Sequence, residues 1–142
     1  MEKKYAYPVD GPQADLAVEA YGLDVDEAFA NIALGAFNAI TPLEGVKPLE
    51  NRRVEIRSED YPGLLYDFLD ELLFIYDSEL IVFSKISVKI SENPLQLVSE
   101  CWGERIDPSR HKSRTVIKAV TFHQMRIEKT DEGWKVRVVF DT

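Results

Sequence analysis

Val25-Asp26-Glu27-Ala28-Phe29-Ala30-Asn31-Ile32-Ala33-Leu34-Gly35-Ala36-Phe37-Asn38-Ala39-Ile40 is the stretch from which the fold can be read. Val25, Ala28, Phe29, Ile32, Ala33, Ala36, Phe37 and Ile40 recur at the i, i+3, i+4, i+7 spacing of a helix that buries one face. Asp24 is placed to cap it, because a carboxylate there accepts from free amides of the first turn. Glu27, three residues on, strengthens the start in the manner of a capping box. Thr41-Pro42 ends the helix, since proline restricts its predecessor and has no amide of its own.

Working outward, Leu16, Val18 and Ala20 alternate with Ala17, Glu19 and Tyr21, which predicts a short strand before the helix. After a loop over 43–51, Val54 and Ile56 alternate with charged residues in a half-exposed strand at 52–57. Ser58-Glu59-Asp60 opens a second helix, with Pro62 in the first turn, where a missing amide costs little. Leu64, Leu65, Phe68, Leu69, Leu72, Leu73, Ile75 and Tyr76 cover a wide arc of it, so it should be largely buried. The remainder reads as β: Ile81 to Ile90, a turn at Asn93-Pro94, a return over Leu95 to Trp102, and an exposed cationic loop at 103–115. A long alternating strand follows from Ile117 to Ile127, and after Asp131-Glu132-Gly133 comes a last strand with Trp134, Val136, Val138 and Phe140 on its apolar face. The order β-α-β-α-β-β-β-β, helices early and strands late, predicts an α+β fold: a layered sandwich, two helices on a mostly antiparallel or mixed sheet.

The chain has 142 residues, 45% hydrophobic and 30% charged, which suits one domain spanning 1–142. No apolar run approaches the ~20 residues of a membrane helix, and Met1 to Gly11 lacks the apolar core of a secretory signal. One cysteine, Cys101, forms no internal disulfide, so a reducing cytoplasm is the expected compartment. The net charge of −8 is uneven: residues 1–80 carry −11 and residues 81–142 carry +3. A whole-surface nucleic-acid binder would be basic throughout. Arg105, Arg110, Lys112, Arg114 and Lys118 nevertheless gather five cations in one segment, a docking surface for an anionic partner or a solvated loop.

Familiar catalytic patterns are missing. There is no phosphate-cradling glycine motif, no CxxC, no HExxH and no serine in a nucleophile elbow. Cys101 falls in a strand and reads as core. His123 falls on an apolar strand face and reads as a buried, hydrogen-bonded histidine, while His111 reads as solvated in the cationic loop. Asp15 precedes the first strand, and Asp141 follows the last, one residue from the terminal Thr142. Both aspartates suit turns. If the terminal strands are neighbours, two side-chain carboxylates and the terminal one instead converge, a hard-oxygen site for Ca²⁺, Mg²⁺ or Mn²⁺.

Five ordered motifs then resemble the archease family over essentially the whole length. They are Ala14-Asp15-Leu16 with Ala20-Tyr21-Gly22; Val25 to Phe37; Leu64-Leu65-Tyr66-Asp67-Phe68-Leu69-Asp70-Glu71-Leu72-Leu73; Gly103-Glu104 with Arg110-His111 and Lys118-Ala119-Val120-Thr121-Phe122-His123; and Phe140-Asp141-Thr142. The resemblance implies a small α+β sandwich that is not an enzyme but activates an RtcB-type tRNA-splicing ligase, promoting its guanylylation and turnover and modulating its nucleotide specificity. tRNA would be reached only indirectly, with no membrane or DNA partner. It also implies a divalent metal, calcium in known archaeal members, on Asp15, Asp141 and Thr142. Lys118 and Arg105 are the expected partner contacts. Where relatives carry His-Thr before the aspartate, this chain has Pro12-Gln13, and Asn38 and Gln124 stand where many have Asp. If either lost carboxylate helps relatives hold metal, binding here should be weaker. Two other readings use the same residues: a metal-dependent phosphohydrolase with His111 or His123 as acid-base group, and an RNA-binding chaperone using Arg105 to Lys118.

Overall fold

In a computed structural model that describes residues 3–9 and 15–142, the elements run β1 (Tyr5–Ala6), β2 (Asp15–Gly22), α1 (Val25–Ile40), a 3₁₀ turn (Leu43–Gly45) and β3 (Glu50–Arg57). They continue as α2 (Tyr61–Glu79), β4 (Ile81–Ser91), β5 (Gln96–Arg105), β6 (Ala119–Val120), β7 (Arg126–Thr130) and β8 (Gly133–Asp141). Pro12 and Gln13 lie outside the described residues. The expected α+β sandwich is present, built on two sheets in which every ladder is antiparallel. One runs β1-β2-β8-β6, with β7 also on β8; the other runs β3-β5-β4.

Both helices start where the capping residues place them. Asp24 accepts from the Glu27 amide at 2.8 Å, while the Glu27 carboxylate reaches back to the Leu23 amide, one residue earlier than a standard capping box. Asp60 caps α2 through the Gly63 amide at 2.8 Å, with Pro62 in the first turn. Helix α1 is buried nearly all round because it packs against β2 and β8 of one sheet and β4 of the other. Gly35 permits that approach, since a Cβ there would sit 2.7 Å from Val18 Cγ1. Helix α2 spans β3 to β5 of the second sheet and the β6–β7 edge of the first. Phe29, Phe37, Phe68, Phe83 and Phe140 fill the core between the layers, with Phe37 edge-on to Phe83 at 5.6 Å.

Two expectations fail in the second half. Ile117 to Ile127 is not one strand. β6 stops at Val120, and Thr121 donates both its amide and its hydroxyl to the Val139 carbonyl. Its hydroxyl oxygen also accepts from the His123 amide, and Gln124 turns the chain at φ 55° before β7 begins. The apolar set is therefore Ile117 and Val120, a spacing of three, and His123 is exposed instead of facing the core. The loop expected at 103–115 to be solvated begins later, because β5 runs on to Arg105, and it is pinned: His111 is 5% exposed. The environments foreseen for the two histidines are thus exchanged.

Candidate functional site

The ends of the described sheet meet as the aspartate hypothesis requires. β2 and β8 pair from Asp15↔Asp141 through Leu16↔Phe140 and Glu19↔Arg137 to Gly22↔Trp134. Residues directly opposite in an antiparallel ladder share a face. Phe140 points into the core, so the Asp15 and Asp141 carboxylates project from the opposite, outer face. On the far side of β8, Asp141 lies opposite Ala119, and its carbonyl accepts from the Lys118 amide at 2.8 Å. Asp15 is half-buried and Asp141 exposed. Among the described residues neither side chain has an ion-pair partner, so two like charges face one another uncompensated, which destabilises a ladder.

That donor chemistry fits a hard divalent cation. Calcium takes six to eight oxygens, including main-chain carbonyls and water. No third His, Cys, Asp or Glu joins the pair among the described residues, so further donors would be main-chain oxygens at Thr142 and solvent. The two residues that stand where many relatives have Asp, Asn38 and Gln124, are occupied elsewhere. Asn38 donates to the Tyr7 hydroxyl at 3.0 Å and accepts from the Leu43 amide at 3.2 Å. The Tyr7 hydroxyl spends its proton on the Gly35 carbonyl, so it needs a donor that an aspartate would lack. Gln124 accepts from Arg137, four residues along β8 from Asp141, roughly 13 Å away at strand spacing.

The cationic segment divides. Lys118 is exposed beside Asp141. Arg105 sits at the end of β5 and belongs to a surface ion network, 3.4 Å from Glu50 and donating to the Glu79 main-chain carbonyl at 2.6 Å, while Arg52 binds the Glu79 side-chain carboxylate at 2.7 Å. Arg114 donates to the Asn38 carbonyl at the C-terminal end of α1, where cations are favoured. Arg110 is paired with Glu104.

Glu104 is the residue whose importance the spacing did not reveal. Its buried carboxylate accepts from the Lys47 amide and from Arg110, with His111 Nε2 at 3.5 Å. His111 Nδ1 accepts the Asp107 amide at 2.8 Å, so its proton sits on Nε2, facing the Gly45 carbonyl at 3.2 Å. Desolvation pushes the Glu104 carboxyl up, but the Lys47 amide, Arg110 and His111 outweigh it and hold it below the usual carboxylate range. The family-like Gly103-Glu104 and Arg110-His111 were visible in the sequence; that they form one buried cluster was not.

Cys101 is core, as expected. Burial pushes its thiol up to about 11. Native protein at pH 8 should therefore resist a thiol reagent for hours and label fully only on unfolding. Rapid native labelling would contradict the packed β5 environment.

Comparison with known proteins gives a consistent picture. A model of the Archease protein family matches residues 7–142. The archease of Methanothermobacter thermautotrophicus is 49% identical over 130 residues, covering 90% of this chain and 92% of that protein. That of Sulfurisphaera tokodaii is 42% identical over 128 residues, with the same two coverages, 90% and 92%. The solution structure of Methanobacterium thermoautotrophicum protein 1598 superposes with a TM-score of 0.84 at 45% identity, over 98% of this chain and 97% of that one. A Thermotoga maritima crystal structure described as an archease, possible chaperone, has a TM-score of 0.57 at 22% identity, over 96% of this chain and 100% of that one, a likeness of fold alone.

Proposed function

We propose, from the premise that the chain belongs to the archease family, that it is a non-enzymatic accessory factor of an RtcB-type tRNA-splicing RNA ligase. It acts by contact, promotes guanylylation and repeated turnover of the ligase, and modulates its choice of nucleoside triphosphate. tRNA is reached only through the ligase. The cytoplasm is the proposed compartment; among the described residues no helix is long and apolar enough to cross a membrane.

The observation that carries this reading is the register of Asp15 against Asp141. Asp15, Asp141 and main-chain oxygens of Thr142 would hold a divalent ion, calcium being the expected one. When bound, the ion supplies positive charge at the sheet end, either ordering the chain there or offering it to the ligase's nucleotide-loading centre. Lys118 is held beside that end by its own amide and is the better of the two proposed partner contacts, because Arg105 is engaged by Glu50 and Glu79.

The other two readings find less support. Arg105, Arg110 and Arg114 are committed within the fold, which leaves little of the cationic segment for RNA. A hydrolase would need a histidine free to move protons beside the aspartates; both ring nitrogens of buried His111 are engaged, and exposed His123 lies in the turn that β6 reaches by running away from Asp141.

The test is guanylylation of a purified RtcB-type ligase with GTP and metal, with and without this protein. Wild type should stimulate, and Asp15→Asn and Asp141→Asn should lose most of the effect. Equal stimulation by both variants would remove the metal from the mechanism; none by wild type would remove the function.

A further inference from the structure

Among the described residues, the outward face of α2 leaves Asp67, Asp70, Phe74 and Asp77 exposed. Tyr66, Asp67, Asp70, Phe74 and Asp77 fall on one arc of that helix, and residues 61–79 contain no lysine or arginine. Phe74 is 63% exposed in the middle of this face. The turn after β6 adds a second aromatic: Phe122, 56% exposed, lies flat on Tyr66 with ring centroids 4.3 Å apart and planes 11° from parallel. The break in the strand at Thr121 is what delivers Phe122 there.

Single exposed apolar residues need no explanation, but two aromatic anchors on an arc whose own charges, Asp67, Asp70 and Asp77, are all acidic form a coherent surface. Interface energy concentrates in such aromatic residues, while surrounding charges set orientation and approach. The acidic ring fixes the occupant's chemistry. Nucleic acid and anionic membrane are repelled, whereas a protein surface that is itself basic, with apolar pockets for two rings, is matched.

We infer that the α2 face, with Phe74 and the Tyr66–Phe122 stack as anchors and Asp67, Asp70 and Asp77 around them, docks a basic protein surface. Phe122 follows β6 by two residues, on the chain that has run away from the Ala119–Asp141 pairing. This inference rests on the ligase reading for the identity of the partner, since an enzyme that handles RNA presents such a surface.

The test measures direct binding of a purified RtcB-type ligase, separately from stimulation. Phe74→Ala combined with Phe122→Ala should weaken binding at least about tenfold, a loss of ~1.4 kcal/mol, while leaving circular dichroism and unfolding temperature nearly unchanged. Asp67→Lys with Asp70→Lys should slow association and flatten its salt dependence. Saturating amounts of the aromatic variant should restore full guanylylation, unlike Asp15→Asn, which should lower the maximum. Equal ligase affinity for wild type and both variants would overturn the docking face and leave the functional reading intact. Wild type that binds without stimulating would overturn the functional reading alone; wild type that does neither would overturn both.

Discussion

Calcium should raise the unfolding temperature of this protein by roughly 10 °C at a hundred times its dissociation constant, and Asp15→Asn or Asp141→Asn should abolish the rise. A ligand that binds only the folded chain stabilises it by about 2.7 kcal/mol at that excess, and each kcal/mol moves the midpoint of a domain this size by about 4 °C. The two carboxylates oppose each other directly across β2 and β8, so without a cation each raises the free energy of the other. The signs therefore diverge. In a chelator, either Asn variant should be as stable as wild type or slightly more so, because one of two facing charges is gone. In calcium the order reverses. Calorimetry in chelator, calcium and magnesium reads this directly, and magnesium should stabilise less because it demands stricter geometry and gives up water reluctantly. A calcium-induced rise of equal size in both variants would place the ion elsewhere.

Much of this site was legible because its signals are local. The α1 periodicity and its cap, the Pro42 stop and the alternation in β2 and β8 each depend on neighbours in sequence; α1 forms at the expected residues, while β2 and β8 each extend to take in the aspartate expected to flank it. The meeting of Asp15 and Asp141 depends on strand order, which the sequence leaves open and the pairing of first and last long strands settles. The failures share one cause. Alternation from Ile117 to Ile127 continues through the turn, but the Thr121 hydroxyl accepts the His123 amide and Gln124 turns the chain at positive φ, which ends the ladder. A hydroxyl that competes with strand pairing leaves no trace in an apolar-polar pattern. His111 was misplaced for a related reason: charged neighbours in sequence implied solvent, whereas Glu104 and Gly45, distant in sequence, enclose it.

Glu104→Ala should cost about 2 kcal/mol, the scale for leaving buried hydrogen-bonding groups without their acceptor, while half-exposed Arg110 can turn to solvent. The loss exceeds one hydrogen bond because three groups converge on that carboxylate: the Lys47 amide, Arg110 and His111. Glu104→Gln keeps the shape and one acceptor but not the charge, so it should fall between. Acid gives an independent reading. The folded-state pKa of Glu104 lies below its unfolded value, so its contribution is fully present above the ordinary carboxylate range and is lost as pH falls through the folded value. Wild type should therefore lose stability on acidification below about pH 4.5, the unfolded value, and Glu104→Gln should lose less over the same interval. The damage should also travel. The loop held by this cluster continues through Arg114 and Thr115, bonded to Ile40 and Ala39, to Lys118, bonded to Asp141. Amide exchange at Lys118 should accelerate in Glu104→Ala, since its anchor lies at the far end of the released segment. Unchanged protection there would mean that the buried cluster stabilises only its own corner and does not help to place the lysine beside the aspartate pair.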